Sequence, residues 1–248
     1  MSTSRTLVFP DHESLTRAAA IYFAEASKEA INDQGCFFVS LCGGQTPELL
    51  YETLGSSPYR DYLPWDEIHF FWGDERCVPP EDPDSNFGRA WELWLKHIRI
   101  PSKNIHRIHG ELTEGQAVAG YQKELIDYSE PGRNWPRFDW VLLGLGSDGH
   151  TASLFPGEIP ENDANQGVIT IRNDKLGRLA NRISLTPSVF NDARQVVFLV
   201  SGAEKAPILA AIRKGQPDPL RWPALHIQPK EGFLVWMVDE AAAFYSHE

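Results

Sequence analysis

Apolar runs of strand length alternate with segments of helical periodicity along most of the chain, the pattern of an α/β protein built on a largely parallel sheet. Asp11 is a capping residue, and Leu15, Ala18, Ala19, Tyr22 and Phe23 recur behind it at helical spacing, which predicts a helix to about Asp33. Residues 36–41 form a short apolar strand closed by Gly43 and Gly44; Thr46 with Pro47 then reads as the cap and first turn of the next helix. Further strands are expected at 68–72, 140–145, 196–200 and 233–238, and further helices at 86–98, 113–128 and 203–213. Turn-rich loops at 79–85, 129–136 and 157–167 are neither long nor polar enough to require a domain boundary. The expectation is a single domain over residues 1–248: an open, largely parallel, doubly wound sheet of Rossmann-like type with helices on both faces.

Composition narrows the classes of function. Hydrophobic residues make up 42% and charged residues 23% of the 248, values typical of a globular protein with one sizeable core. Lys and Arg number 23 against 34 Asp and Glu, a formal charge of −11, which disfavours nucleic-acid binding because phosphate backbones are held by clustered cations. No run approaches the roughly 18 apolar residues of a membrane span, and residues 1–10 lack the apolar stretch of a secretory signal. A cytoplasmic protein with no membrane partner is expected. The three cysteines, Cys36, Cys42 and Cys77, are odd in number and not in a metal-ligand spacing, which fits free thiols in a reducing compartment.

In an open parallel sheet ligands bind beyond the carboxyl ends of the strands, and three strand ends here carry unusual residues. The first is Cys42-Gly43-Gly44-Gln45-Thr46-Pro47. Its glycines let backbone N–H groups approach an anion at a helix start; the same turn also reads as an ordinary capped turn. The second is Gly73-Asp74-Glu75-Arg76-Cys77-Val78-Pro79, where Asp74 could serve as an acid, base or orienting carboxylate and Arg76 could pair with a phosphate. Solvated charges at a strand exit are the alternative. The third, residues 141–156, contains Gly144, Gly146 and Gly149 in the dinucleotide spacing, but Pro156 and Pro160 cut short the helix that this fingerprint needs. What it presents is His150, with Asp148 two residues before it, and a histidine that titrates near neutrality suits a general base.

Other features carry less. Asp82-x-Asp84-x-Asn86 resembles the start of a calcium loop but lacks the glycine and the closing glutamate. His106 and His109 have no companion ligands for zinc and read as a surface turn. Trp91 and Trp94 read as core or interface on one helix, and no serine-hydrolase elbow is present. Between Arg172 and Lys214 eight cations face three acids, a net +5 that could supply counter-charge to an anionic substrate. Lys205, just after the strand end at Ser201-Gly202, is the sharpest member of that group.

Together these blocks resemble the 6-phosphogluconolactonases, within the wider group that includes the glucosamine-6-phosphate deaminases. The likeness rests on Gly43-Gly44 with Thr46-Pro47, on Gly73-Asp74-Glu75-Arg76-x-Val78-Pro79 with Ser85-Asn86, on the run from Gly144 to Pro156, on Arg182-Ile183-Ser184-Leu185-Thr186, and on Ser201-Gly202-x-x-Lys205. Thr151-Ala152-Ser153-Leu154-Phe155-Pro156 is the lactonase form of the third block; the deaminases typically have Ile-Ala-Phe-Asn-Glu-Pro there. The first block departs from the family's usual Ser-Gly-Gly-Ser-Thr-Pro, with Cys42 and Gln45 in place of the serines. The resemblance implies hydrolysis of 6-phospho-D-glucono-1,5-lactone, a sugar-phosphate substrate, without metal or organic cofactor. It implies His150 as the base that activates water and Asp74 as the group that orients the histidine or binds substrate hydroxyls. Arg76, Arg182 and Lys205, with Gly43, Gly44, Gln45 and Thr46, would hold the phosphate. Monomer and homodimer remain open alternatives.

Overall fold

The computed structural model describes residues 3–157, 166–214 and 218–244, so most of the expected 157–167 loop lies outside the described residues. In chain order the elements are β1 (Thr3–Phe9), α1 (His12–Gln34), β2 (Phe37–Leu41), α2 (Glu48–Leu54), α3 (Tyr59–Tyr62), β3 (Ile68–Trp72), β4 (Asp74–Arg76), α4 (Asn86–Leu93) and β5 (Ile105–His106). There follow α5 (Glu114–Asp127), β6 (Trp140–Leu143), β7 (Val168–Arg172), β8 (Asn181–Leu185), α6 (Pro187–Asn191), β9 (Gln195–Val200), α7 (Ala206–Lys214), β10 (Phe233–Asp239) and α8 (Glu240–Ala243).

Local chemistry sets the boundaries. Asp11 caps α1 by accepting the Ser14 N–H at 2.7 Å, and Gly35 closes it in the left-handed conformation at φ 81°, which glycine adopts without strain. Thr113 and Gln116 form a reciprocal capping box at the start of α5. Two expected boundaries move. Thr46 caps nothing: α2 begins at Glu48, flanked by Pro47 with no side-chain cap. The expected helix over 86–98 ends at Leu93, because Trp94 leaves the helical region at φ −137° and the chain tightens into a short 3₁₀ turn over Leu95–His97.

Seven strands form one parallel sheet in the order β1-β10-β9-β6-β2-β3-β5. Alternate residues of β2 point to opposite faces, as strand geometry requires. Phe37 meets Phe23 of α1 on one face, while Phe38 meets Tyr128, just past α5, on the other, so helices cover both sides. The open, doubly wound parallel sheet expected from the alternation is present. From β2 the chain runs outward through β3 to β5, then returns to place β6 on β2's other side. The crevice between β2 and β6 is therefore the topological switch point, where ligands of such sheets bind.

A second sheet was not expected from the sequence. At Gly73 the chain leaves the main sheet, and β4 joins β8 and β7 in a three-stranded antiparallel sheet, order β4-β8-β7. Gly73 is the hinge: its N–H still bonds the Leu41 carbonyl at 2.8 Å, while its own carbonyl accepts the Leu185 N–H at 2.8 Å. His106 also departs from expectation. It is 2% exposed on β5, stacked on His69 and bonded through Nδ1 to Glu124 at 2.6 Å, so it is a core residue; His109 is exposed.

Phe23 packs edge-to-face on Phe37, Trp94 and Trp140, joining α1 to the sheet and to the turn after α4. Removing such a side chain leaves a cavity that a rigid sheet fills poorly, and Phe23→Ala is expected to lower unfolding free energy by about 3–5 kcal/mol. Urea denaturation measures it, and a loss below about 1 kcal/mol would show that this aromatic cluster is not a structural centre.

Candidate active site

The carboxyl ends of β2, β3 and β6 and the turn after β9 converge on a cleft of about 240 Å³, a volume for one small ligand. Gly43, Gly44, Gln45, Thr46, Asp74, Arg76, His150, Arg182 and Lys205 all border it. The structure thus brings together every residue that the sequence singled out for chemistry.

His150 stands on a turn that only glycine permits. The Gly146 N–H bonds the His150 carbonyl at 2.8 Å, and a Cβ added to Gly146 would lie 2.1 Å from His150 Nδ1. Gly149 has φ +85° and carries the chain past Trp222. No helix follows; Thr151 and Leu154 form a β-bridge, so the dinucleotide spacing leads to no dinucleotide fold here.

The imidazole Nδ1 lies 2.5 Å from Asp148 Oδ1. Burial pushes the Asp148 carboxyl up, but the hydrogen bond and charge of the His150 ring outweigh it and hold the group down at about 2. At neutral pH Asp148 is therefore an ionised acceptor, which takes the ring N–H at Nδ1; in the neutral imidazole the lone pair then lies on Nε2. Nε2 has no hydrogen-bond partner among the described residues. Asp148, rather than Asp74, is the carboxylate that orients this histidine.

Asp74 borders the same cleft and is 4% exposed. Its Oδ2 accepts the Ser153 hydroxyl at 2.5 Å, its Oδ1 accepts Asn86 Nδ2 at 3.2 Å, and Arg182 stands 4.0 Å away. Across the antiparallel pair Arg76 faces Arg182 and Asp74 faces Ser184. Two like charges directly opposite are unfavourable on their own. Arg76 donates to the Asp84 carbonyl at 2.5 Å; Arg182 donates to the Leu179 carbonyl at 3.1 Å and lies over the Phe155 ring at 5.6 Å. Burial lowers the Arg182 guanidinium from the ordinary arginine value, against the pull of Asp74.

The remaining wall is backbone. The N–H groups of Gly43, Gly44, Gln45 and Thr46 donate no hydrogen bond to described residues, and Gly44 sits at φ 98°. Lys205, on the 3₁₀ turn Ala203–Lys205, makes no ion pair with a described residue. Its turn is fixed by Asp239, which accepts the Ser201 hydroxyl at 2.5 Å and the Gly202 N–H at 3.1 Å. The positive segment contributes less than its sum suggests. Arg172 pairs with Asp174, Arg178 with Asp82 and Asp84, and Arg194 with Asp139; of its eight cations, Arg182 and Lys205 border the cleft. Among the described residues no cluster of three potential ligands is suited to a metal ion, and no helix is long and apolar enough to cross a membrane.

Residues 10–236 match the family described as glucosamine-6-phosphate isomerases/6-phosphogluconolactonase. The chain belongs to this family. Within it, a 6-phosphogluconolactonase of Haemophilus influenzae is 42% identical over 204 residues, 82% of this chain and 85% of the relative. A 6-phosphogluconolactonase of a Nostoc species is 41% identical over 239 residues, 95% of each chain. The solved 6-phosphogluconolactonase of Trypanosoma brucei superposes with a TM-score of 0.84 at 29% identity, covering 98% of both chains. A monomeric glucosamine-6-phosphate deaminase superposes at 0.79 with 19% identity, which shows the shared fold alone.

Asn86 and Glu204 also border the cleft. Asn86 had a signal, as part of the family's Ser85-Asn86 pair; nothing in the sequence distinguishes Glu204 from a solvated helix-start acid. Cys42, in place of the family's usual serine, is buried, and burial raises its thiol far above the ordinary range.

If Asp148 fixes the ring tautomer, Asp148→Ala shifts the neutral imidazole of His150 from Nδ1–H toward Nε2–H. Long-range ¹⁵N–¹H correlation spectra report the tautomer directly, and an unchanged Nδ1–H form in the variant would show that another group sets it.

Proposed function

We propose that the chain is a 6-phosphogluconolactonase, which hydrolyses 6-phospho-D-glucono-1,5-lactone to 6-phosphogluconate in the second step of the oxidative pentose phosphate pathway. The lactonases at 40% identity and above support this reading, and so does the lactonase form of the Thr151 to Pro156 run. The observation that carries the chemistry is the Asp148–His150 pair at 2.5 Å, with Nε2 left free on a cleft whose other walls hold cations and unpaired N–H groups.

A lactone is an activated ester, so one oriented water and one base suffice. His150 Nε2 takes a proton from water as the water oxygen attacks the lactone carbonyl, and Asp148 stabilises the imidazolium that forms. When the tetrahedral intermediate collapses, the C1–O5 bond breaks and the imidazolium returns its proton to O5. The products are the hydroxyl at C5 and a carboxylic acid that ionises in water; no covalent intermediate is needed. Gly146 and Gly149 spend their N–H groups within the histidine turn, which leaves the 43–46 loop as the richer source of donors.

Arg76, Arg182 and Lys205, with N–H groups of that loop, hold the phosphate and so fix the ring relative to the base. Loop donors not used by the phosphate can meet the oxyanion. Asp74 accepts hydrogen bonds from ring hydroxyls with the lone pairs that Asn86 and Ser153 leave unused.

The test is continuous titration of acid released from freshly prepared phosphogluconolactone, corrected for spontaneous hydrolysis. His150→Ala is expected to lower the enzymic rate by roughly 10²–10⁴-fold. A wild-type rate no faster than the spontaneous one would end the lactonase reading, whereas full activity in His150→Ala would remove only the base. Lys205→Ala is expected to reduce the preference for phosphorylated over unphosphorylated lactone. Unchanged preference would take Lys205 out of the phosphate site.

A further inference from the structure

A buried carboxylate and a buried carboxamide, neither with a role in the chemistry above, join the Asp74–Arg76 strand to the 43–46 loop. Glu75 alternates with Asp74 and Arg76 on β4 and so points to the other side of the strand, away from the ligand. It is 2% exposed and accepts the N–H groups of Arg76, Asn86 and Phe87 at 2.8, 2.7 and 2.8 Å and the Ser85 hydroxyl at 3.1 Å. Burial pushes its carboxyl up to about 7 in spite of these donors. One side chain thus fastens the first turn of α4 to β4.

That fastening fixes Asn86. Its Nδ2 donates to the Asp74 carbonyl at 2.9 Å and to the Asp74 carboxylate at 3.2 Å. Its Oδ1 is buried without a partner and lies against Gly43, where an added Cβ would fall 1.7 Å from it. The three atoms nearest that Cβ position all belong to the Asn86 carboxamide. Asn86 therefore touches the Asp74–Arg76 strand with one end of its carboxamide and the 43–46 loop with the other.

We propose that Asn86, held by Glu75, is a positioning residue that sets the distance between the 43–46 loop and the Asp74–Arg76 strand, and thereby the affinity of the cleft for the phosphate of its ligand. This rests on the reading of the cleft as a sugar-phosphate site. Gly43 has the complementary role: the absence of a side chain there admits the carboxamide.

A double-mutant cycle on Asn86 and Gly43 tests the coupling, with 6-phosphogluconate as probe and calorimetric Kd as readout. Asn86→Ala and Gly43→Ala are each expected to weaken binding by about ten-fold or more, and the double variant is expected to bind no more weakly than Asn86→Ala alone, because the space that the added methyl group needs has been vacated. A helix-capping role would lower thermal stability without this dependence on Gly43. Glu75→Gln supplies a milder second variant: weaker binding in the wild-type background and no further loss in Asn86→Ala are expected. Additive effects, wild-type Kd in Asn86→Ala, or no binding by the wild type would each overturn the proposal. Acid release by the wild type separates the two readings. Coupling without hydrolysis would reject the lactonase assignment and keep the positioning role; hydrolysis with additive variants would do the reverse.

Discussion

Three consecutive charged residues, Asp74, Glu75 and Arg76, follow the apolar strand β3 after the Gly73 hinge, and a charge taken out of water there is costly unless it is paired or hydrogen-bonded. Much of the cleft can be understood as the answer to that constraint. The Glu75 carboxylate is met by the backbone of α4, and Asp74 by Ser153, Asn86 and Arg182. Arg76 reaches the Asp84 carbonyl, yet its Nε is buried without a partner. The second sheet exists at this point because β4 needs a neighbour once it has left β3, and β8 provides both the ladder and Arg182. The acids are met within the protein, and Arg76 and Arg182 both border the cleft.

The opposite wall relies on small residues instead of buried charge. Gly146 allows the imidazole to lie against its own turn, and Gly149 bends the chain so that His150 faces the cleft. Asp148 lies close enough in sequence to be bonded by both the ring and the backbone N–H of His150. Phe155 links the walls, in ring contact with His150 at 4.9 Å and beneath the Arg182 guanidinium. His150 and the arginines thus border one cleft at the β2–β6 switch point, and the Ser153–Asp74 hydrogen bond and Phe155 tie their segments together.

The strands buried on both faces were legible because their apolar runs are continuous, and the ends of β2, β3 and β6 were legible because glycine and charge break those runs abruptly. β1 was hidden by its place at the sheet edge. Its first residues, Thr3 to Thr6, are polar, and only Leu7, Val8 and Phe9 suggest a strand. β4 is three residues long and wholly charged, so no periodicity could reveal it, and β8 holds only two apolar residues, Ile183 and Leu185, beside Asn181, Arg182 and Ser184. His106 read as a surface residue because its partners His69 and Glu124 are 37 and 18 positions away in sequence. For the same reason the net charge of residues 172–214 overstated the cations at the site: their pairing with Asp82, Asp84 and Asp139 depends on the tertiary fold.

In the proposed complex one molecule spans the cleft with its phosphate among the cations and its C1 end at the histidine. A crystal structure of the protein with 6-phosphogluconate addresses this directly. The phosphate is expected among Arg76, Arg182, Lys205 and the 43–46 N–H groups, with the C1 carboxylate within hydrogen-bond reach of His150 Nε2. A phosphate seated at His150, or a ligand bound outside this cleft, would contradict it.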